Sequence, residues 1–280
     1  MKKYWSLLVV LTLSLLLAAC GTSKEEGKGG AEGEKESKKI VVGASNVPHA
    51  EILEEAAPLL KEKGIELDIV PYQDYIMPNK ALDEGELDAN YFQHIPYLES
   101  QIKEHGYDFV NAGGIHIEPI GVYSKKYKSL EELPEGAQII MSSSVADHGR
   151  ILSMLEAKGL ITLKEGIDKT TATVDDIVEN KKNLKFKTDI EASLLPQVYE
   201  NNEGDAVLIN SNYAIDAGLN PVEDSIAIED SQSPYVNVIA VKKGDETREE
   251  IKALVEVLHS KEIQEFIKKQ YKGAVVPVSE

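Results

Sequence analysis

From residue 39 onward the apolar positions fall into short runs separated by glycine, proline and polar turns. KIVV at 39–42 reads as a strand closed by Gly43. Over 48–63, Ile52, Ala56, Leu59 and Leu60 recur at helical spacing, and Gly64 ends that helix. The next apolar run, 67–70, is a strand. This strand–helix–strand order with tight turns marks a mainly parallel α/β sheet, whose ligands sit beyond the carboxyl ends of the strands. Those ends fall at 45–49 and 72–75. Further on, the pattern predicts strands at 121–125, 138–141, 184–187, 206–209 and 236–241. Helices are predicted at 149–158, 175–179, 190–199 and 247–271. The order is one lobe, an inserted lobe and a return: 39–124 and 235–280 for the first, 125–234 for the second. A cleft between two such lobes, closed by hinge motion, is the architecture of periplasmic-type binding proteins. The chain would cross between them near 122–126 and 227–234.

One stretch departs from this rhythm. YQDYIMPNKALDEGELDANYFQHIPY, 72–97, concentrates aromatics (Tyr72, Tyr75, Tyr91, Phe92), amides (Asn79, Asn90, Gln93) and His94 in a chain that is only 6% aromatic. Pro78, Gly85 and Pro96 break it, so it is not one long helix. A turn, a helix at 79–84 capped by Gly85, a strand at 87–91 and a helix begun near Pro96 fit it best. Aromatics and amides at strand ends suit a pocket for a small amphipathic ligand. They equally suit a packed core corner.

The N-terminus follows other rules. Lys2 and Lys3 precede an apolar segment at 6–17 that is too short to span a bilayer, which needs about 20 residues. It ends in Leu17-Ala18-Ala19-Cys20, the pattern of a lipoprotein signal peptide, 1–19, with Cys20 as the lipidated residue. Cys20 is the sole cysteine, which excludes an internal disulfide and a cysteine metal cluster. Residues 20–38 are mostly Gly, Glu, Lys and Ser, a composition that forms a flexible tether. Lipid there would hold a soluble domain at a membrane surface. The net charge of −18 argues against nucleic acid as a partner.

The run DYIMPNKALDEGELDANYFQHIPYL resembles the signature of the NlpA/MetQ family, the methionine-binding lipoproteins of ABC importers. IHIEPIGVYSKKYKSLEELPEGA, TVDDIVENKKNLKF, LINSNYA and SPYVN extend the resemblance in order through most of the chain after the tether. It implies an α/β, type 2 periplasmic-binding-protein-like fold, a monomer that binds an amino-acid-type ligand without catalysis or cofactor, and an ABC permease with its ATPase as partner. The protein would face the outside or the periplasm.

Two arginines occur, and Arg248 in DETREE reads as a solvated helix start. Arg150 opens an apolar helix after small polar residues, where a guanidinium takes a carboxylate bidentately or forms a surface ion pair. The resemblance favours the first and gives Arg150 the ligand's α-carboxylate. Asn210 ends an apolar strand and Asn237 lies inside another, so each amide needs a partner, local or ligand. Both match family positions of ligand-contacting amides. Tyr75, Phe92 and His94 match the family's side-chain pocket, where a thioether packs on aromatic rings. One segment departs: the family usually reads PNDPTN where this chain reads SSSVAD, at 142–147. Asp147 thus replaces an Asn and brings a full charge to the ligand's ammonium. The altered loop leaves the ligand's identity open among methionine, a derivative, a short Met-containing peptide and a non-sulfur amino acid. Ser142, Ser143 and Ser144 beside His148 lack the elbow of a hydrolase. The scattered histidines form no metal-binding pair, so no metal is expected. A surface adhesin that inherited the fold is the other class, and it need not keep Arg150, Asn210 and Asn237 together.

Overall fold

In the computed structural model, which describes residues 38–278, the opening unit forms as β1 (Lys38–Ser45), α1 (Glu51–Glu62) and β2 (Ile65–Tyr72). The signal peptide, Cys20 and the tether up to residue 37 lie outside the described residues, whereas Lys38, expected at the tether's end, opens β1; the described residues fall within one compact unit, 36–280. α1 buries Ile52, Ala56 and Leu60 of the expected stripe together with Leu53, while Leu59 stays half-buried. Then come α2 (Met77–Glu84), β3 (Ala89–His94), α3 (Ile95–His105) and β4 (Phe109–Ile117). Every residue of β3 is buried, because the strand lies between neighbours on both sides and is covered on both faces.

β5 (Gly121–Tyr123) starts the second sheet. It was expected to leave the first lobe, but it pairs antiparallel with β10 (Ala206–Ile209) and β11 (Ala227–Ile228). The chain therefore crosses at 118–120, before residue 124, and returns at 229–235. Between these crossings lie β6 (Gln138–Ser142), α4 (Val145–Ala157), β7 (Ile161–Leu163), β8 (Ile177–Asn180), β9 (Lys185–Ile190), α5 (Leu195–Glu200) and α6 (Ser211–Asp216). After the return come β12 (Val236–Lys242), α7 (Glu249–Leu258), α8 (Lys261–Tyr271) and β13 (Val276–Pro277). The first sheet has the order β13-β4-β12-β3-β1-β2 and the second β11-β5-β10-β6-β9. β1 is parallel to β2 and β3, while β12 returns antiparallel between β3 and β4.

Four further differences from the expected pattern have local causes. β4 was not anticipated, because NAGG dilutes its strand signal. A Cβ on Gly113 would lie 2.6 Å from a Val255 methyl, so the glycine lets α7 approach the strand. The expected helix 247–271 is two, because the chain turns at His259 and Ser260 Oγ accepts from Ile263 N–H to start α8. Residues 175–179 give a single turn and then β8, which pairs with β7, in place of a helix. α4 starts at Val145, four residues before the expected 149, which puts Asp147 and His148 on the helix.

Candidate functional site

A small, partly open cavity lies where the two sheets' carboxyl ends meet. All seven residues expected at the site line it: Tyr75, Phe92, His94, Asp147, Arg150, Asn210 and Asn237. Glu118, Tyr97 and Asn212 line it too and were not anticipated. Glu118 was legible as an acid between apolar residues at the end of IHIEPIG.

The first-lobe wall is aromatic. Tyr75 packs with its ring centroid 5.9 Å from Phe92, 5.9 Å from Tyr97 and 4.9 Å from Tyr213. Its hydroxyl donates to Asn212 Oδ1 at 2.6 Å, and Tyr97 Oη donates to the Tyr75 carbonyl at 3.0 Å. Behind them, Asn79, Asn90 and Gln93 form a buried amide cluster that joins α2 to β3, with Asn79 Nδ2 on Gln93 Oε1 at 3.0 Å and Gln93 Nε2 on Asn79 Oδ1 at 2.8 Å. Asn90 Nδ2 completes it on Asn79 Oδ1 at 2.9 Å. These amides satisfy one another, as buried amides must.

The second-lobe wall is charged. Asp147 and Arg150 share one face of α4 at i, i+3 spacing. A Cβ on Gly149 would lie 2.2 Å from the Lys169 carbonyl, so only glycine lets α4 settle this closely on the turn at 169–171. Of SSSVAD, Asp147 alone lines the cavity; Ser143 and Val145 are exposed. His148 Nε2 bonds the Ser142 carbonyl at 2.9 Å, not a serine hydroxyl.

Asp147 joins the two walls. His94 Nδ1 accepts from Tyr97 N–H at 3.1 Å, which leaves Nε2 protonated to donate to Asp147 Oδ1 at 3.0 Å. Asn210 Nδ2 donates to Asp147 Oδ2 at 3.1 Å. Burial alone would raise the Asp147 pKa, but the His94 hydrogen bond, the Arg150 charge and the Asn210 hydrogen bond outweigh it and hold the group at about 2. Asn210 Oδ1 is buried with no hydrogen-bond partner among the described residues.

Arg150 was expected to be open to a carboxylate on two nitrogens. Instead Nε and Nη2 both donate to Glu229 Oε2, the first at 2.9 Å, and Nη2 also reaches the Glu118 carbonyl at 2.6 Å. Its remaining nitrogen, Nη1, stands 3.7 Å from Asp147 Oδ1. The Tyr235 ring lies 4.7 Å from the guanidinium carbon. Glu229 sits just before SPYVN, but nothing in the sequence sets it apart from the exposed acids around it.

Glu118 accepts at Oε1 from His116 Nε2 at 2.8 Å and from His49 Nε2 at 3.2 Å. His49 Nε2 is shared with Asn237 Oδ1, also at 3.2 Å, and His116 Nδ1 is bonded by the Tyr91 hydroxyl. Burial lowers the His49 pKa to about 4 and that of His116 to about 3, and it raises that of Glu118. The three groups offer ligand atoms within 4.8 Å of one another, but their Nε2 protons already serve the Glu118 carboxylate.

Two α/β lobes around a cavity, with charged groups on one wall and aromatic rings on the other, mark the class of two-lobed solute-binding proteins. The model of the NlpA lipoprotein family matches residues 40–279, and the chain belongs to that family. It is 54% identical over 282 residues to the methionine-binding lipoprotein MetQ of Bacillus subtilis (strain 168), covering 100% of both chains. It is 39% identical over 264 residues to the D-methionine-binding lipoprotein MetQ of Salmonella typhi, covering 94% of this chain and 93% of the relative. A nutrient binding protein from Burkholderia cenocepacia, solved bound to methionine, superposes with a TM-score of 0.80 at 44% identity, covering 86% of this chain and 100% of that one.

Proposed function

We propose that this protein is the membrane-anchored substrate-binding lipoprotein of an ABC importer and that its ligand is methionine or a close relative. The observation that carries this reading is the cavity's two-sided chemistry. Arg150 Nη1 on one wall suits an α-carboxylate, while Glu118 and the unpartnered Asn210 Oδ1 suit the ammonium. Tyr75, Phe92 and Tyr97 on the other wall suit a soft thioether. The replaced loop supports methionine more than the sequence pattern did, because of its residues only Asp147 lines the cavity, and Asp147 is engaged by His94 and Asn210. Binding and release need no covalent step, so the protein is not an enzyme. The permease with its ATPase receives the solute, and lipid on Cys20 holds the protein on the outer or periplasmic side of the membrane.

Mass spectrometry of ligand released by denaturing the purified protein tests this, with a thermal-shift panel of amino acids, methionine sulfoxides and Met-containing dipeptides. A ligand at about 100 Kd stabilises by about 2.7 kcal/mol. Methionine or a methionine derivative should give the largest shift; stabilisation by non-sulfur amino acids alone would overturn the assignment. Cys20→Ala should release the protein from the membrane fraction, and wild-type protein found free of lipid would refute the anchor.

A further inference from the structure

The least anticipated group beside the site, Glu229, accepts four hydrogen bonds on its carboxylate. Its side chain is 9% exposed. Oε2 accepts from Arg150 Nε and Nη2 and, at 3.2 Å, from Ile120 N–H; Oε1 accepts from Ser233 Oγ at 2.9 Å. Its own N–H donates to the Ile120 carbonyl at 3.0 Å, and Ser233 Oγ accepts from Tyr235 N–H at 3.2 Å. Ile120 belongs to the outgoing crossing between the lobes, whereas Glu229, Ser233 and Tyr235 belong to the returning one. One carboxylate therefore ties α4 to both crossing segments. Arg150 Nη2 adds a second bond to the outgoing crossing at the Glu118 carbonyl.

We propose that Glu229 is a positioning residue: it fixes the Arg150 guanidinium so that Nη1 faces the cavity, and it couples a carboxylate held there to closure of the two lobes. This rests on the reading that Arg150 holds the ligand's carboxylate. Glu229 occupies the Nε–Nη2 edge and leaves Nη1 to the ligand, so the two carboxylates do not compete for the same protons. Without Glu229, the nearest carboxylate to Arg150 is Asp147, one helical turn away. The guanidinium would turn towards it and lose its bonds to the crossings. Ligand bound to such an arginine no longer holds the hinge closed.

Dissociation is limited by lobe opening and association by entry into the open form, so the effect belongs in the off-rate. Stopped-flow with L-methionine on the full chain should show Glu229→Ala dissociating about tenfold faster or more, with association little changed. Ser233→Ala, which leaves Arg150 paired, should give a smaller change of the same sign. If Glu229→Ala does not fold, Glu229→Gln serves in its place, since it keeps the shape and removes the charge. The decisive comparison is a double-mutant cycle with Arg150→Ala. Loss of the Glu229 effect in that background supports coupling through Arg150. A wild-type off-rate in the Glu229 variants, or the same increase in the Arg150→Ala background, overturns the proposal. Unchanged methionine affinity in Arg150→Ala alone would instead overturn the carboxylate assignment.

Discussion

The two walls of the cavity solve the burial of polar groups in different ways. On the first-lobe side, Asn79, Asn90 and Gln93 pair among themselves within fifteen residues of sequence, from 79 to 93, and the rings of Tyr75, Phe92 and Tyr97 pack against one another. On the second-lobe side, Asp147 and Arg150 find their partners far away, at His94, Asn210, Glu118 and Glu229. A wall whose groups pair locally is rigid and tolerant of change at its rim. A wall built from long-range charge pairs is tied to the lobe positions and is the part that can sense closure.

The largest expected effect breaks the charged wall directly. Arg150→Ala should weaken methionine binding by about 3 kcal/mol or more, measured by calorimetry, because a carboxylate would be left buried without its cation. An arginine facing an open, solvent-filled cleft would leave folding unaffected. Its side chain is 3% exposed and paired with Glu229, so the substitution should also lower folding stability, read as an earlier denaturant midpoint.

Acid tests what lies behind both walls. His49 and His116 titrate near 6.5 when unfolded, but near 4 and 3 when buried in the fold. Between these values the unfolded chain binds the extra protons, so stability falls as pH falls from about 6.5 towards 4. Each histidine contributes about 3 kcal/mol over that window, opposed by Glu118, whose raised pKa favours the folded state in acid. Asp147 titrates lower still, so its stabilising share is lost only as pH drops below about 4 towards 2. Denaturant curves at stepped pH check the order; a flat profile from pH 7 to 5 would mean that the two histidines are not buried neutral.

Asp147→Asn, which restores the family's residue type, should cost about 1–2 kcal/mol of stability at pH 7. His94 and Asn210 keep an amide partner after the Asn210 side chain flips, but they lose a charged acceptor. Double substitution with His94→Gln would show whether the cross-lobe bond carries the loss. The smallest effect concerns the aromatic wall. Norleucine, which carries a methylene in place of the sulfur, should bind about 1 kcal/mol more weakly than methionine, since shape is kept and the sulfur–ring contacts are lost. A difference of several kcal/mol in a competition titration would mean that something harder than aromatic rings recognises the sulfur.

The sequence by itself determined the lobes' α/β character, the α1 stripe of Ile52, Ala56 and Leu60 and the turn at Gly85, and its family resemblance implied that Tyr75, Phe92 and Arg150 share one cavity. These follow from periodicity, from left-handed glycine and from motifs confined to short stretches. Tertiary structure alone decided that β5 joins the second sheet, that His94 gives its proton to Asp147 and that Glu229 holds Arg150. Each of these pairs residues tens of positions apart in separate elements, and a buried charge selects its partner by distance in space, on which spacing along the chain is silent.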